Sequence, residues 1–202
     1  MASANHLRER PLFLRIRRDE NGAAVMEFGI ISVVFITMLI GMFDIGQSAY
    51  AQSILNGAVQ EAARSSSLET ANTGQADARV LELMRNVAPG AQIASTRKSY
   101  FDFADIARAE KWNDADFDGT CSAGESYTDE NGNGRWDADI GASGNGGAGD
   151  VVVYSVVITY EPLFPIPFYD GSDAKRTLSA KAIKKNQPFA DQTNYGSKAG
   201  TC

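Results

Sequence analysis

An acidic stretch near the middle of the chain has the residue types and the spacing of a calcium-binding loop. Residues 114–125 fit the pattern D-x-[DN]-x-[DN]-G-x5-E at every required position. Calcium takes six to eight hard oxygen ligands, alternate residues of a turning loop point inward, and the glycine permits the sharp bend. The predicted ligands are five side chains and one backbone carbonyl: Asp114, Asp116, Asp118, Thr120 (carbonyl), Ser122 and Glu125.

A second, weaker copy of the pattern begins four residues after Glu125. Its twelfth position is Ile140, so the bidentate carboxylate is missing, and Asp139 or a shared group would have to replace it. Three residues separate the loops and leave no room for an exiting helix, so we expect back-to-back calcium loops rather than two paired EF-hands. The candidate ligands of the second loop are Asp129, Asn131, Asn133, Arg135 (carbonyl) and Asp137.

Two interpretations of this insert stay open. In one, the Asn-Gly and Asp-Gly pairs simply form turns and the carboxylates solvate a long loop. In the other, calcium orders the insert, and residues 101–113 form the helix that enters the first loop. Outside the cytoplasm, millimolar calcium would saturate even a weak site, so a structural ion is favoured over a calcium sensor.

The two cysteines, Cys121 and Cys202, allow two interpretations as well. Cys121 stands at the eighth loop position, where an apolar residue usually faces inward, which favours a buried thiol. If both cysteines face an oxidising compartment, a disulfide between them is favoured instead.

Composition argues against catalysis and against a nucleic-acid partner. The one histidine, His6, lies in a basic N-terminal stretch, so a serine or cysteine nucleophile elsewhere would lack an imidazole base. The sequence contains no GxSxG motif, no P-loop and no zinc-type cluster. The net charge is -6, and the residues after position 22 are acidic, whereas binding of a nucleic acid needs a basic face. We therefore expect a protein that is not an enzyme.

The N-terminal part of the chain has the features of a membrane-spanning segment, which would set the position of the insert relative to a membrane. Residues 23–43 are apolar on all sides except for Glu27, and their length suits a bilayer core. Arginines precede the run and Asp44 follows it, so the positive-inside rule puts the N-terminus in the cytoplasm. A plain anchor would leave Glu27 unexplained. A secretory signal peptide, with its cleavage site at residues 49–51, would contain an unusually long apolar run with a carboxylate in it.

The stretch from Gly22 to Phe28, GAAVMEF, resembles the type IV prepilin cleavage motif, in which a prepilin peptidase cuts after the glycine. Residues 21–64 resemble the TadE/TadG-like pseudopilins of tight-adherence (Tad/Flp) pili. The strand-like run 151–160 with the Glu-Pro pair after it, and residues 178–189, also fit that family.

The resemblance implies a structural pseudopilin or minor pilin of a bacterial Tad pilus, which takes part in assembly and surface adhesion. It implies processing between Gly22 and Ala23, and an assembly role for Glu27, whose carboxylate would meet the new N-terminal amine of a neighbouring subunit. The implied partners are prepilin peptidase, other pilins or pseudopilins, and the inner membrane, with the C-terminal domain in the periplasm or on the cell surface. The alternative is an uncleaved, membrane-anchored, calcium-dependent adhesin or binding module.

Hydrophobic periodicity predicts an α+β fold: a long N-terminal transmembrane and stalk helix packed on a small antiparallel sheet, with a Gly/Asp-rich metal-loop insert. A break of the helix at Gly57 is the alternative to one continuous stalk. A second helix is predicted over 76–88, and strands over 91–100, 151–160 and 175–185. The predicted regions are a basic prepilin-type leader (1–22), a transmembrane helix (23–45), the stalk helix, second helix and first strand (46–100), the acidic calcium-loop insert (101–150), β-strands (151–187) and a loose tail (188–202).

Overall fold

The computed structural model describes residues 21–68, 72–164, 175–194 and 196–202. Most of the predicted leader, including His6, lies outside these residues. So do Pro165 and Pro167, which belong to the proline-containing segment after the run 151–160, where we expect an extended loop.

The longest element is helix α1 (Asn21–Ser65), which continues without a break through Gly57. Its first half is apolar and exposed on every side, whereas its second half buries one stripe of small and aliphatic side chains. Among the described residues, α1 is the one helix long and apolar enough to cross a membrane. The second half is amphipathic because it packs on protein, and one rigid rod therefore joins the apolar segment to the globular domain.

Helix α2 (Thr73–Arg85) starts three residues before the predicted helix, because Asn72 caps it. The Asn72 side chain accepts a hydrogen bond from the backbone N–H of Gln75 at 3.0 Å, which satisfies one of the free donors of the first turn. Val80 and Met84, one turn apart, are fully buried against α1 and the sheet.

The strands of the described residues are β1 (Gln92–Tyr100), β2 (Ser126–Asp129), β3 (Ala142–Ser143), β4 (Val151–Tyr160), β5 (Arg176–Lys185) and β6 (Lys198–Thr201). They form two antiparallel sheets. The larger has four strands in the order β3-β1-β4-β5, and the smaller pairs β2 with β6. The predicted α+β class, a long N-terminal helix with a small antiparallel sheet, is confirmed.

One face of the larger sheet carries the main core. Alternate residues of β4 and β5 point toward α1 and α2, as period-2 patterning predicts. Burying a large aliphatic side chain there contributes about 1.5–3 kcal/mol. The opposite face is covered at one end only, where Val151 and Val153 meet Ile140 and Tyr100. Through this second cluster the insert is packed on the back of the sheet.

A half-buried carboxylate links α2 to two strands of the sheet. The carboxylate of Asp77 accepts hydrogen bonds from Arg97 at 2.6 Å, Ser95 at 2.8 Å and Tyr154 at 2.5 Å. Burial alone would raise the pKa of Asp77, but these donors outweigh it, so the pKa lies below its usual value. The carboxylate therefore stays charged in the fold and holds α2 in register with β1 and β4.

The helix expected over 101–113 was wrong. Asp102 forms a capping box with Asp105 at the start of a single 3-10 turn, Phe103–Asp105. Ala107 then takes a positive φ of 56°, which stops helical propagation. The following residues run extended as far as Trp112, which forms a β-bridge with Tyr127.

The C-terminal tail was expected to be loose, but its last residues are ordered, and so is the Gly-rich segment 141–149. In the tail, β6 pairs along its length with β2, and Gly200 lies so close to the ring of Tyr127 that a Cβ there would collide with it. The Gly-rich return over 141–149 is held by Asn145, whose amide donates to the carbonyl of Ser66 at 2.9 Å, and β3 adds a pair of residues to β1. The return thus fastens the C-terminal end of α1 to the sheet.

Candidate metal loops and membrane helix

The first candidate loop is folded by its own carboxylates. Asp114, Asp116 and Asp118 each place one carboxylate oxygen within 4.8 Å of the others. Asp114 accepts from the backbone N–H groups of Asp118 and Gly119, both at 3.1 Å. These bonds need a sharp bend, and Gly119 supplies it with a φ of 77°. Three negative charges consequently converge on one point, where a cation would relieve their repulsion.

Glu125 closes this loop from its far end. Its two oxygens accept from the N–H groups of Ser122 at 2.9 Å and Ala115 at 2.6 Å, the ninth and second loop positions. These donors lower the pKa of Glu125 below its usual value, and the carboxylate is therefore charged at neutral pH. Ser122 also donates through its hydroxyl to Asp116 at 3.3 Å.

Both hydrogen-bond donors of Thr120 bind the same carboxylate oxygen. Its backbone N–H and its hydroxyl lie 2.7 and 2.8 Å from the Oδ1 atom of Asp118. The bond from the backbone fixes the fifth position against the seventh.

The second candidate loop repeats these bonds. Asp129 accepts from the N–H groups of Gly132 at 2.6 Å and Gly134 at 2.9 Å, and Asn133 accepts from Arg135 at 2.8 Å. Asn131 accepts from Asn133 at 3.1 Å, as Asp116 does from Asp118 in the first loop. The two glycines have φ values of 77° and 76°. The weaker motif therefore folds as a loop of the same kind.

Asp137, the ninth residue of the second loop, faces the other predicted ligands. One of its oxygens accepts from the side-chain amide of Asn131 at 2.7 Å and also from that of Asn133. The side chains of the third, fifth and ninth positions therefore meet on one side of the loop.

Asp139, considered as a replacement for the missing twelfth-position carboxylate, is turned away. It accepts from Lys98 at 2.6 Å and from the hydroxyl of Tyr100 at 3.2 Å, both on β1. Burial alone would raise the pKa of Asp139, but these donors outweigh burial, so the pKa lies below its usual value. The charged carboxylate therefore binds the edge of the sheet and does not face the second loop. In turn, burial together with Asp139 raises the pKa of Tyr100 to about 12.

Glu110, and not Asp139, places a carboxylate against the second loop. This side chain is fully buried, and its two oxygens accept from Glu130 N–H at 2.7 Å and Asp137 N–H at 3.1 Å. Those are the second and ninth positions of the second loop, the same two positions that bind Glu125 in the first. The carboxylate comes from 19 residues before the loop, so the linear motif gives no sign of it. In the sequence, Glu110 can be recognised only as an isolated acidic residue close to Trp112.

The surroundings of Glu110 hold it firmly. Its carbonyl accepts a hydrogen bond from the indole N–H of Trp136 at 3.1 Å, and the Trp136 ring lies edge-on to that of Trp112, with centroids 5.1 Å apart. Arg108 binds Glu130 and Asp105 together at 2.8 Å each. The hydrogen bonds that Arg108 donates to these carboxylates, above all to Glu130, raise the pKa of Arg108, so this link is charged at every physiological pH.

Cys121 and Cys202 form a disulfide, with their Cα atoms 5.8 Å apart. The backbone supports it, because Cys202 N–H donates to Glu125 at 2.9 Å and Gly124 N–H donates to Cys202 at 3.2 Å. The bond therefore joins Cys202 to the first candidate loop, beside the pairing of β2 with β6.

Phe117 differs from its counterpart in the second loop. It is 89% exposed and has a φ of 59°, a conformation that Gly132 adopts freely at the same position. A bulky side chain pays about 1–2 kcal/mol for this conformation.

The predicted processing and assembly residues lie at the opposite end of the molecule. Gly22, Ala23 and Glu27 are in the first two turns of α1 and are exposed. Ala51, at the end of the suggested signal-peptide cleavage site, is fully buried in the core beneath the sheet. The structure thus keeps this site inside a continuous helix.

These features define a protein with a single N-terminal helix, exposed and apolar in one half, that carries a globular α+β domain on the other half. Residues 22–64, nearly the whole of α1, match the family model described as TadE-like protein. This match shows the chain to be TadE-like in its N-terminal helix, and it confirms the resemblance seen in the sequence. That family is one of structural pilus components, and the match covers α1 but not the globular domain. Comparisons with curated proteins and with solved structures give no significant match.

Proposed function

We propose that this chain is a pseudopilin or minor pilin that takes part in the assembly of a Tad-type pilus and in surface adhesion, with calcium ordering its outer domain. One observation carries the proposal: the TadE-like match begins at Gly22 and runs through a helix whose exposed apolar half holds a single carboxylate, Glu27. The leader would stay in the cytoplasm, and prepilin peptidase would cut after Gly22. The globular domain would lie in the periplasm or on the cell surface.

The position of Glu27 in an apolar segment favours pairing with a positive charge on another subunit. An ionised carboxylate within a bilayer costs several kcal/mol unless it is paired. None of the described side chains of the chain forms an ion pair with Glu27. Cleavage after Gly22 creates an ammonium group at Ala23, one turn away along the same helix. In a packed bundle, the amine of one subunit would neutralise the carboxylate of the next and fix the register between their helices.

Replacement of Glu27 by leucine should therefore leave membrane insertion and processing intact but impair assembly. We expect a several-fold loss of the chain from complexes recovered by crosslinking with other pilins or pseudopilins. Thr37→Leu is the matched control, because it also replaces a polar residue of the same apolar segment. Normal assembly of the Glu27→Leu protein would contradict this role.

For the metal loops, we propose a structural calcium ion in each. In the first, the ligands are Asp114, Asp116, Asp118, Ser122 and Glu125 through side chains, and Thr120 through its carbonyl. The support is the convergence of three carboxylates together with a fourth, Glu125, that is held charged by backbone donors.

In the second loop, Glu110 would act as the bidentate ligand that Ile140 cannot be. A fully buried carboxylate is costly unless a charge or several hydrogen bonds offset it. Backbone donors already orient both oxygens of Glu110, and calcium would supply the positive charge. The remaining ligands are Asp129, Asn131, Asn133, Asp137 and the carbonyl of Arg135.

A second candidate function is an uncleaved, membrane-anchored, calcium-dependent adhesin. Phe117 favours it, since a strained and almost fully exposed aromatic side chain at the tip of a metal loop suits contact with a surface or a partner. The two candidates differ in whether the leader is removed.

A further inference from the structure

The base of the sheet lies at the level where the apolar half of α1 ends. Three contacts place it there. The ring of Phe43 packs on that of Phe164 with centroids 5.6 Å apart, Asp44 pairs with Arg176 at 2.5 Å, and the hydroxyl groups of Ser48 and Tyr160 are 3.3 Å apart. No free length of helix therefore separates the apolar segment from the domain.

Leu163 and Phe164 follow β4 at this base and remain exposed, at 50% and 40%. Phe43 is the last residue of the apolar run, so its ring marks the depth at which the hydrocarbon region ends. A side chain stacked on it lies at the same depth. Two large apolar side chains exposed at that level lose contact with water if the bilayer covers them.

Two basic residues at this base balance its acidic groups, which are Asp44 and the exposed carboxylate of Glu161. Asp44 is buried, and its negative charge is met by Arg176, so it does not repel anionic headgroups. Lys175 is exposed beside Arg176, at the start of β5. Amphipathic anchors combine inserted apolar side chains with nearby basic residues in this way.

We infer that Leu163 and Phe164 enter the interfacial layer of the same bilayer that α1 spans, on the side of the globular domain. The domain then rests on the membrane at two points, the helix and this apolar pair, and its orientation relative to the bilayer is fixed. The inference needs membrane anchoring by α1, but neither processing nor calcium.

Site-specific labelling of the full chain in phosphatidylcholine–phosphatidylglycerol vesicles tests this contact. Phe164→Cys would carry an environment-sensitive NBD fluorophore, added without reductant so that the native disulfide stays closed. Phe189→Cys is the matched control, because Phe189 is 43% exposed but lies beyond β5, at the other end of the sheet. The axial distance between the two ends is roughly 30 Å, from the length of α1 beyond Asp44.

We expect label at position 164 to emit at shorter wavelength and to be quenched several-fold more by lipid carrying a shallow doxyl group than label at position 189. Leu163→Cys should reproduce this result if Phe164 proves necessary for folding. Equal and weak quenching at both ends would overturn the inference. So would a blue-shifted label at position 164 that lipid does not quench, since a second protein chain, and not the bilayer, would then cover it.

Discussion

Calcium is expected to stabilise the outer domain strongly. Extracellular calcium modules bind with Kd values of about 10⁻⁴–10⁻³ M, so ten millimolar calcium is on the order of 10–100 times Kd. A ligand at 100 times Kd adds about 2.7 kcal/mol to the free energy of unfolding for one site. In a chain of this size, that corresponds to a Tm higher by roughly 5–10 °C. Thermal melting of the full chain in detergent, with calcium and with chelator, measures the difference.

Two substitutions assign this stabilisation to the two loops. Glu125→Gln should remove the first site and Glu110→Gln the second, so that calorimetric titration finds one ion where the native chain binds two. Glu161→Gln is the control, because Glu161 is an exposed carboxylate outside both loops. Melting in chelator shows whether each variant folds.

An unchanged Tm in the native chain would contradict calcium binding as a whole. Two ions in Glu110→Gln would contradict the role of Glu110 alone. The first loop is therefore tested separately from the second.

Loss of the disulfide is expected to have the second large effect. Cys121 and Cys202 are 81 residues apart, and closing a loop of that size lowers the entropy of the unfolded chain by the equivalent of roughly 4 kcal/mol. Cys202→Ser should also release β6, because a four-residue strand has little else to hold it. We expect a Tm lower by roughly 10 °C.

The pair of cysteines supplies its own control. Cys121→Ser, Cys202→Ser and the double variant should melt at the same temperature, because the bond is lost in each. Additive losses would mean that the serines act through local packing and not through the crosslink. Hydrogen exchange at Tyr127 and Gly200, which face each other across β2 and β6, should rise in all three variants.

The elements that the sequence predicted best are those with one strong local signal. Residues 151–160 are β-branched and aromatic without a breaker and form β4 over that range, and β5 follows the alternation of the residues predicted to form the last strand. The long helix was clear from its apolar run and from the alanine stripe after it. In these segments the local conformational preference and the tertiary packing agree, so the sequence pattern alone is enough to predict the element.

Two of the errors arise where distant residues decide the outcome. The strand β6 depends on Tyr127 and on Cys121, neither of which is near it in the sequence. Glu110 is far in the sequence from the second loop, although its carboxylate accepts hydrogen bonds from two N–H groups of that loop. No spacing rule connects the two. The helix expected over 101–113 fails because Asp102 and Ala107 end it within a turn, although its composition permits a helix.

The central claim, that this chain is a processed pseudopilin, is tested most directly by the mass of its mature N-terminus. Intact-mass and N-terminal peptide analysis of the chain, purified from membranes of a host with an active prepilin peptidase, should find Ala23 as the first residue. Gly22→Ala is the control, because it should block the cut and preserve the full mass. A native chain that keeps residues 1–22 in that host would contradict the claim and favour the anchored adhesin.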